Sequence, residues 1–319
     1  MKRHNYLLLI FVTRLLFSCN SENAIELTNK GIELLKKKDD WQANFYFTQA
    51  IEDDENYGRA YFYRAKVSDE ESAIKDLSTA ILKGYNVEES YIERGIIKGK
   101  LNNIKGALKD FNIALRMDPQ NTYINQLKGN MYYDQNNYSQ ALYFYNITDP
   151  SYDDHEFYEK RGFANYQMKK YFEALKDANS AIELSDLVKK TKSGWESKFG
   201  EYDSRLNSWD YYFRAELKYQ LGDIAGATMD IDKSISTDFM NYDAIRWRGI
   251  LKYNKKDFNG ALNDLEKVIN SNQKDGLAYY YRGKIKIQKN EMDSACLDLS
   301  KAGELGVEEA YELIKQTCN

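Results

Sequence analysis

A small residue returns at near-constant spacing through most of the 319-residue chain, and no other feature restricts the fold as strongly. It stands at Gly31, Ala65, Gly95, Gly129, Gly162, Ala215, Gly249 and Gly283, with intervals of 34, 30, 34, 33, 53, 34 and 34 residues. Twelve residues later comes an alanine in seven of the eight cases: Ala43, Ala107, Ala141, Ala174, Ala227, Ala261 and Ala295. In the second repeat the gap to Ala73 is only eight, so about one helical turn is missing there. Four residues beyond each alanine lies a mostly larger, apolar position: Phe47, Leu77, Phe111, Tyr145, Ala178, Ile231, Leu265 and Leu299. Three further on comes a mostly small one: Ala50, Ala80, Ala114, Thr148, Ala181, Ser234, Val268 and Ala302. Steps of four and three stay on one face of a helix. Each period therefore reads as two helices whose small residues let the backbones cross closely. Links such as Asn102-Asn103, Gln135-Asn136-Asn137 and Leu221-Gly222-Asp223 supply the turns.

A 34-residue helix pair with this register resembles the tetratricopeptide repeat (TPR). The stretch holding Gly95, Ala107, Phe111, Ala114 and Pro119 carries the family signature nearly whole, and the resemblance runs from residue 24 to about 306. It implies an all-α chain: a right-handed α-solenoid of eight helix pairs with a C-terminal capping helix and a concave face lined by the first helices. One such pair cannot bury its apolar face alone, so neighbours must stack. The chain has only 2 Pro, which argues against turn-rich β architectures; the other repeats simply omit the family's terminal proline.

The register divides the chain into a leader (1–18), a tether (19–23), repeats 1–5 (24–186), an insertion (187–207), repeats 6–8 (208–306) and a capping helix (307–319). At the start, Lys2, Arg3 and His4 precede an apolar run from Tyr6 to Val12, too short to span a bilayer but fitting for a signal peptide. Leu16-Phe17-Ser18-Cys19 resembles a bacterial lipobox, with Phe17 bulky for its place and Arg14 interrupting the apolar core. That resemblance implies a lipid (palmitate-type) anchor on Cys19 and a place in a bacterial cell envelope, at the outer membrane or facing the periplasm. An ordinary signal peptide is the other reading. Loss of Lys2, Arg3 and Arg14 with the leader would take the formal charge from -4 to -7. An acidic chain lacks the basic footprint that nucleic acid requires.

The insertion holds Lys189, Lys190, Lys192, Trp195, Lys198, Phe199, Tyr202 and Arg205, and reads either as a binding loop or as an extended second helix with a solvated link. The C-terminal end, from Ala295 to Gly306 and on through a last helix, is similar to Sel1-like repeats. Cys296 and Cys318 lie symmetrically about Gly306, so an antiparallel hairpin would bring them face to face. A disulfide is expected, with two free core thiols as the alternative. It would stabilise by roughly 3 kcal/mol on the chain-entropy model.

A charge pattern runs inside the repeat. A basic residue immediately precedes the small one: Lys30, Arg64, Arg94, Lys128, Arg161, Arg214, Arg248 and Arg282. Three residues after the alanine of the second helix lies Asp76, Asp110, Asp177, Asp230, Asp264 or Asp298, whereas the two repeats with Lys carry Tyr46 and Phe144 there. Arg and Asp occur together or not at all. The pattern predicts a bidentate Arg–carboxylate bridge within each repeat, setting helix register, with each exposed pair worth roughly 0–1 kcal/mol.

On the first helices, steps of three, four and three predict a partner-binding face: Tyr123 and Tyr133 in repeat 4, Phe163 and Tyr166 in repeat 5, Trp209, Tyr212 and Tyr219 in repeat 6, Arg246 and Tyr253 in repeat 7, and Tyr280 in repeat 8. Aromatics mixed with carboxylates suit a peptide or a partner helix. Tyr133, Tyr166, Tyr219 and Tyr253 fit packing between helices equally well. No Lys/Asn/Arg carboxylate clamp is legible. With 2 His, no catalytic triad, phosphate loop or Cys/His metal spacing can be assembled. His155 reads as a solvated helix-start residue, and Asp53-Asp54 and Asp153-Asp154 read as helix caps. The expectation is a non-catalytic scaffold for a protein or peptide, with no cofactor, metal or nucleic acid. The alternative is an accessory lipoprotein that binds a glycan or small ligand.

Overall fold

The computed structural model describes residues 22–148, 154–192 and 204–318. The leader, the lipobox with Cys19 and residues 193–203 of the insertion lie outside the described residues. Among those described, every regular element is an α-helix, and no helix is long and apolar enough to cross a membrane. The chain divides into two compact units, Met1–Pro150 and Ser151–Asn319.

The first unit holds four helix pairs: α1 (22–36) with α2 (Asp40–Asp53), α3 (Gly58–Ala65) with α4 (Glu70–Leu82), α5 (Val87–Lys100) with α6 (Ile104–Met117), and α7 (Thr122–Asp134) with α8 (Tyr138–Asn146). The second holds α9 (His155–Gln167) with α10 (Tyr171–Lys192), α11 (Ser204–Gln220) with α12 (Ile224–Thr237), α13 (Tyr242–Asn254) with α14 (Phe258–Ser271), α15 (Gly276–Gln288) with α16 (Met292–Glu304), and then α17 (Glu308–Thr317). The missing turn of repeat 2 is lost from the end of its first helix, since α3 stops at Ala65 after 8 residues. Part of the insertion continues the second helix: α10 has 22 residues against 14 in α12 and α14.

Two local devices set the pairs. Between first and second helix, one residue adopts left-handed backbone, at Lys38, Asn102, Asn136, Lys169, Gly222, Lys256 and Asn290. In most repeats the next residue then caps the second helix with its side chain, as Asn103 does for the Gly106 N–H and Asp257 for the Gly260 N–H. The second device is size matching at the crossing. A Cβ added to Gly95 would lie 2.6 Å from the Phe111 ring, and Gly31 with Phe47 and Gly129 with Tyr145 are equally tight. Where the second helix offers leucine, as at Leu265 opposite Gly249, the approach relaxes to 3.1 Å. Where it offers Leu77 or Ile231, the first helix carries Ala65 or Ala215. Gly162 stands opposite the small Ala178 and is approached instead by the Phe213 ring of α11, at 3.5 Å from an added Cβ.

All six Arg–Asp couples form within their repeats. Each Arg donates Nε–H and Nη2–H to its own Asp at 2.6–3.1 Å. The expectation of exposed, weak pairs is corrected: the Asp side chains are at most 8% exposed. Such carboxylates cannot lose their cation without leaving a buried charge. A third group joins four of them. Lys98, Lys218, Lys252 and Lys286, one turn after the arginine, each donate to the same Asp at 2.7–2.8 Å. In repeat 5, Asn165 takes that place on Asp177. Burial alone would push Asp110 up, but the bonds from Arg94 and Lys98 outweigh it and hold the carboxyl below its ordinary range; Asp264 behaves likewise with Arg248 and Lys252.

The same arginines reach back one repeat. Nη1 of Arg94 donates to Ser78 at 2.8 Å and that of Arg214 to Asn179 at 3.0 Å, each on the preceding second helix. Arg64 with Thr48 and Arg248 with Asp232 follow the same geometry more loosely. One guanidinium thus ties three helices. At the C-terminus, Cys296 of α16 and Cys318 just beyond α17 form a disulfide. Ala310 of α17 packs with Leu299, Ala302 and Val307, which closes the apolar end of the last repeat.

Candidate functional site

In the second unit, the predicted face gathers on α9, α11, α13 and α15. Its members are coupled to one another rather than simply displayed. Tyr166 on α9 donates its hydroxyl to Glu216 on α11. Trp209 lies 5.2 Å from Tyr212, ring centre to ring centre, and is 47% exposed. Arg246 on α13 bonds Asp243 at 2.7 Å and Asp275, the cap of α15, at 2.6 Å. Tyr219 meets Trp247 edge-on at 4.9 Å. Lys284 of α15 sits 5.0–5.2 Å from the ring centres of Tyr253, Tyr280 and Tyr281. The face is a row of aromatic rings stitched by ion pairs and cation–π contacts from one first helix to the next.

This placement corrects two of the expected contact residues. Tyr212 is only 9% exposed, because it enters the core with Ala215, Ala227 and Ile231; burial, then the charges of Glu216 and Asp243, push its phenol up to about 12. Arg246 is not a free cation, being committed to two carboxylates. Tyr219 and Tyr253 pack on neighbouring helices, the second of two readings that the spacing left open. Phe163 and Tyr166 pack with Phe213. The glycan reading loses support here, since sugar stacking needs free ring faces and most of these rings are engaged. In the first unit, Tyr123 on α7 is 51% exposed and Tyr133 meets Tyr138 edge-on at 5.8 Å.

His155 is also corrected. It does begin a helix, capped by Asp154, but it is half-buried and paired rather than simply solvated. Its Nε2 lies 2.8 Å from Asp210 of α11 and its Nδ1 3.3 Å from Glu159. Ser185 of α10 adds a bond to the same Asp210 oxygen at 3.3 Å. Burial alone would lower this imidazole, but the two carboxylates outweigh it and raise its pKa to about 10. Sequence reading missed the cluster because Asp210 lies 55 residues away, across the insertion that breaks the period. One ligand atom from each of His155, Glu159 and Asp210 lies within 4.8 Å of the others, a spacing that could hold a metal ion. A metal would have to displace a hydrogen bond, since the two ring nitrogens face different carboxylates; an imidazolium clamped between two acids is the chemistry that this geometry serves. Beside it, Glu159, Phe163, Trp209, Asp210 and Phe213 line a pocket of about 20 Å³, room for a single water and not for a substrate.

No family model matches the chain. A TPR repeat-containing protein of Methanocaldococcus jannaschii is 29% identical over 107 residues, 33% of this chain and 19% of that protein's length. Among solved structures, the C-terminal part of a TPR repeat-containing protein from Cytophaga hutchinsonii is 16% identical with a TM-score of 0.62, covering 80% of this chain and 99% of the other. PilW, a type IV pilus biogenesis factor, is 15% identical with a TM-score of 0.52 over 68% of this chain and 94% of its own. These likenesses show the fold that the helix register describes, stacked α-helix pairs of the tetratricopeptide-repeat type.

Proposed function

We propose that the chain is a non-catalytic scaffold that binds a protein or peptide along the first-helix face of its second unit, held at a bacterial envelope by lipid on Cys19. The observation that carries the binding reading is the continuous row from Tyr166–Glu216 through Arg246 to the tyrosines around Lys284. Its side chains are pre-positioned by contacts with each other, so little side-chain entropy is lost when a partner arrives. Trp209, half-exposed in the middle of the row, supplies an anchor of the type that dominates interface energetics. That a pilus biogenesis factor shares the fold fits a role in assembling other proteins.

A photo-reactive residue placed at Trp209 tests the reading against the same residue placed at Phe172, which is 74% exposed on the second helix α10. The expected result is a discrete protein adduct from Trp209 and none from Phe172. Equal adducts from both positions would remove the face from the account. Cys19→Ser tests the anchor separately, by moving the chain from the membrane fraction to the soluble one.

A further inference from the structure

Repeat 2 contains a notch that its neighbours lack. In repeats 3, 6, 7 and 8 the first helix continues one turn past the arginine and brings a lysine Nζ to within 2.7–2.8 Å of the carboxylate. In repeat 2, α3 ends at Ala65. The chain turns back at once, with Ser68 Oγ donating to the Arg64 carbonyl at 2.9 Å and Asp69 capping α4. The space vacated by that turn is an open cavity of about 380 Å³, lined by Asn44, Arg64, Ser68, Asp69, Ser72 and Asp76.

Its chemistry is directional. Arg64 takes one hydrogen bond to each oxygen of Asp76, through Nε at 2.8 Å and Nη2 at 2.7 Å. The Oδ2 atom that receives a lysine in four other repeats receives only the Arg64 Nε–H here. The lining holds one cation, Arg64, against two carboxylates, Asp69 and Asp76, with hydroxyl and amide acceptors around them. Where the lysine is present, two cations face one carboxylate. The notch is therefore short of one positive charge relative to its sister repeats. A guanidinium would need a free two-oxygen edge, which Arg64 already occupies. A compact ammonium needs only one lone pair on Oδ2 and uses its other N–H groups on hydroxyls or amide oxygens.

We propose that the notch of repeat 2 binds a primary alkylammonium group, seated on Asp76 where Lys98, Lys218, Lys252 and Lys286 sit in their own repeats. The source is either a lysine side chain of a partner or a free aliphatic amine. The site lies in the first unit and does not depend on the reading of the second unit's face.

The test follows the arginine Nε–H resonances of the full chain by NMR during titration with n-butylammonium. The Arg64 signal is expected to move first and to saturate, while those of Arg94, Arg248 and Arg282, whose carboxylates already hold a lysine, stay in place. Ser68→Lys, which supplies the ammonium from within, should abolish the shift. Asp69→Asn, which keeps the helix cap, should weaken binding several-fold. A lysine-centred acetylated pentapeptide, its norleucine counterpart and 1,5-diaminopentane separate the sources: tighter binding of the lysine peptide assigns the site to a partner's side chain, and tighter binding of the diamine assigns it to a free amine. An Arg64 signal that moves no earlier than the other three, or that moves unchanged in folded Ser68→Lys, would overturn the proposal.

Discussion

Repeats 1 and 4 solve the same packing problem as the other six with different chemistry. At the register where six repeats place Arg against Asp, these two place Lys30 over the Tyr46 ring at 4.3 Å and Lys128 over the Phe144 ring at 4.5 Å. In repeat 4 the residue one turn on is Tyr132, which stacks on Phe144 at 5.5 Å, where four other repeats carry the second lysine. The difference teaches what the fold requires at this point. It needs a cation on the first helix that meets something electron-rich on the second, and either a carboxylate or a ring face will serve. The ionic version adds bidentate geometry; the link to the preceding repeat occurs in both versions, since Lys128 Nζ donates to Asn112 of α6 at 2.9 Å. The ionic version also buries a carboxylate that becomes costly if left alone. The cation–π version avoids that liability but gives its lysine no counter-charge, so burial pushes the Lys128 ammonium down from its ordinary range.

The comparison breaks most visibly at the ionic repeats. Asp264→Ala removes a fully buried partner of both Arg248 and Lys252, and should cost about 3–5 kcal/mol in urea unfolding. The same carboxylates set an acid limit. Because Asp110 and Asp264 have folded pKa values below their unfolded ones, their contribution is complete above the ordinary carboxylate range, near pH 4, and is lost as pH falls through the folded value. Melting temperature should therefore drop on acidification, and less steeply in a variant carrying a lysine–aromatic pair at repeat 7.

On the alkaline side the sign reverses. Asp210 and Glu159 raise the His155 imidazole to about 10 in the folded chain, against about 6.5 for a free imidazole, so its contribution is complete below about pH 6.5 and fades as pH rises toward 10. His155→Gln should flatten the fall in stability across that window, seen in melting curves taken at successive pH values. The smallest effect is expected from Phe144→Leu, which removes one cation–π contact and one stacked ring and should cost about 1 kcal/mol.

Much of this was legible in the residues, and the failures are specific. The helix pairs follow from Gly/Ala spacing because close backbone crossing leaves no other residue sterically tolerable. The Arg–Asp bridges follow from their joint presence and absence. Their third member, at Lys98, Lys218, Lys252 and Lys286, stands at a fixed four-residue step from its arginine, but surface lysines are common enough to hide such a register. Tyr46 and Phe144 were visible as missing acids but not as ring partners for Lys30 and Lys128, because a cation–π contact has no sequence complement as plain as opposite charge. Tyr212 and Arg246 share the helical spacing of a surface row, yet spacing cannot tell a side chain that lines a face from one that dives between helices. The His155–Asp210 contact depends on how α11 resumes after the insertion, which no periodic argument reaches.

The central claim is that the basic residue and its partner act as one matched unit in every repeat. Repeat 2 tests it most cleanly, because no lysine shares its carboxylate. A double-mutant cycle with Arg64→Met, Asp76→Leu and the pair together, followed by urea unfolding, measures the coupling. Each single change should be strongly destabilising, and the double change should cost less than their sum by roughly 1–3 kcal/mol. Losses that add to within about 0.5 kcal/mol would contradict the account.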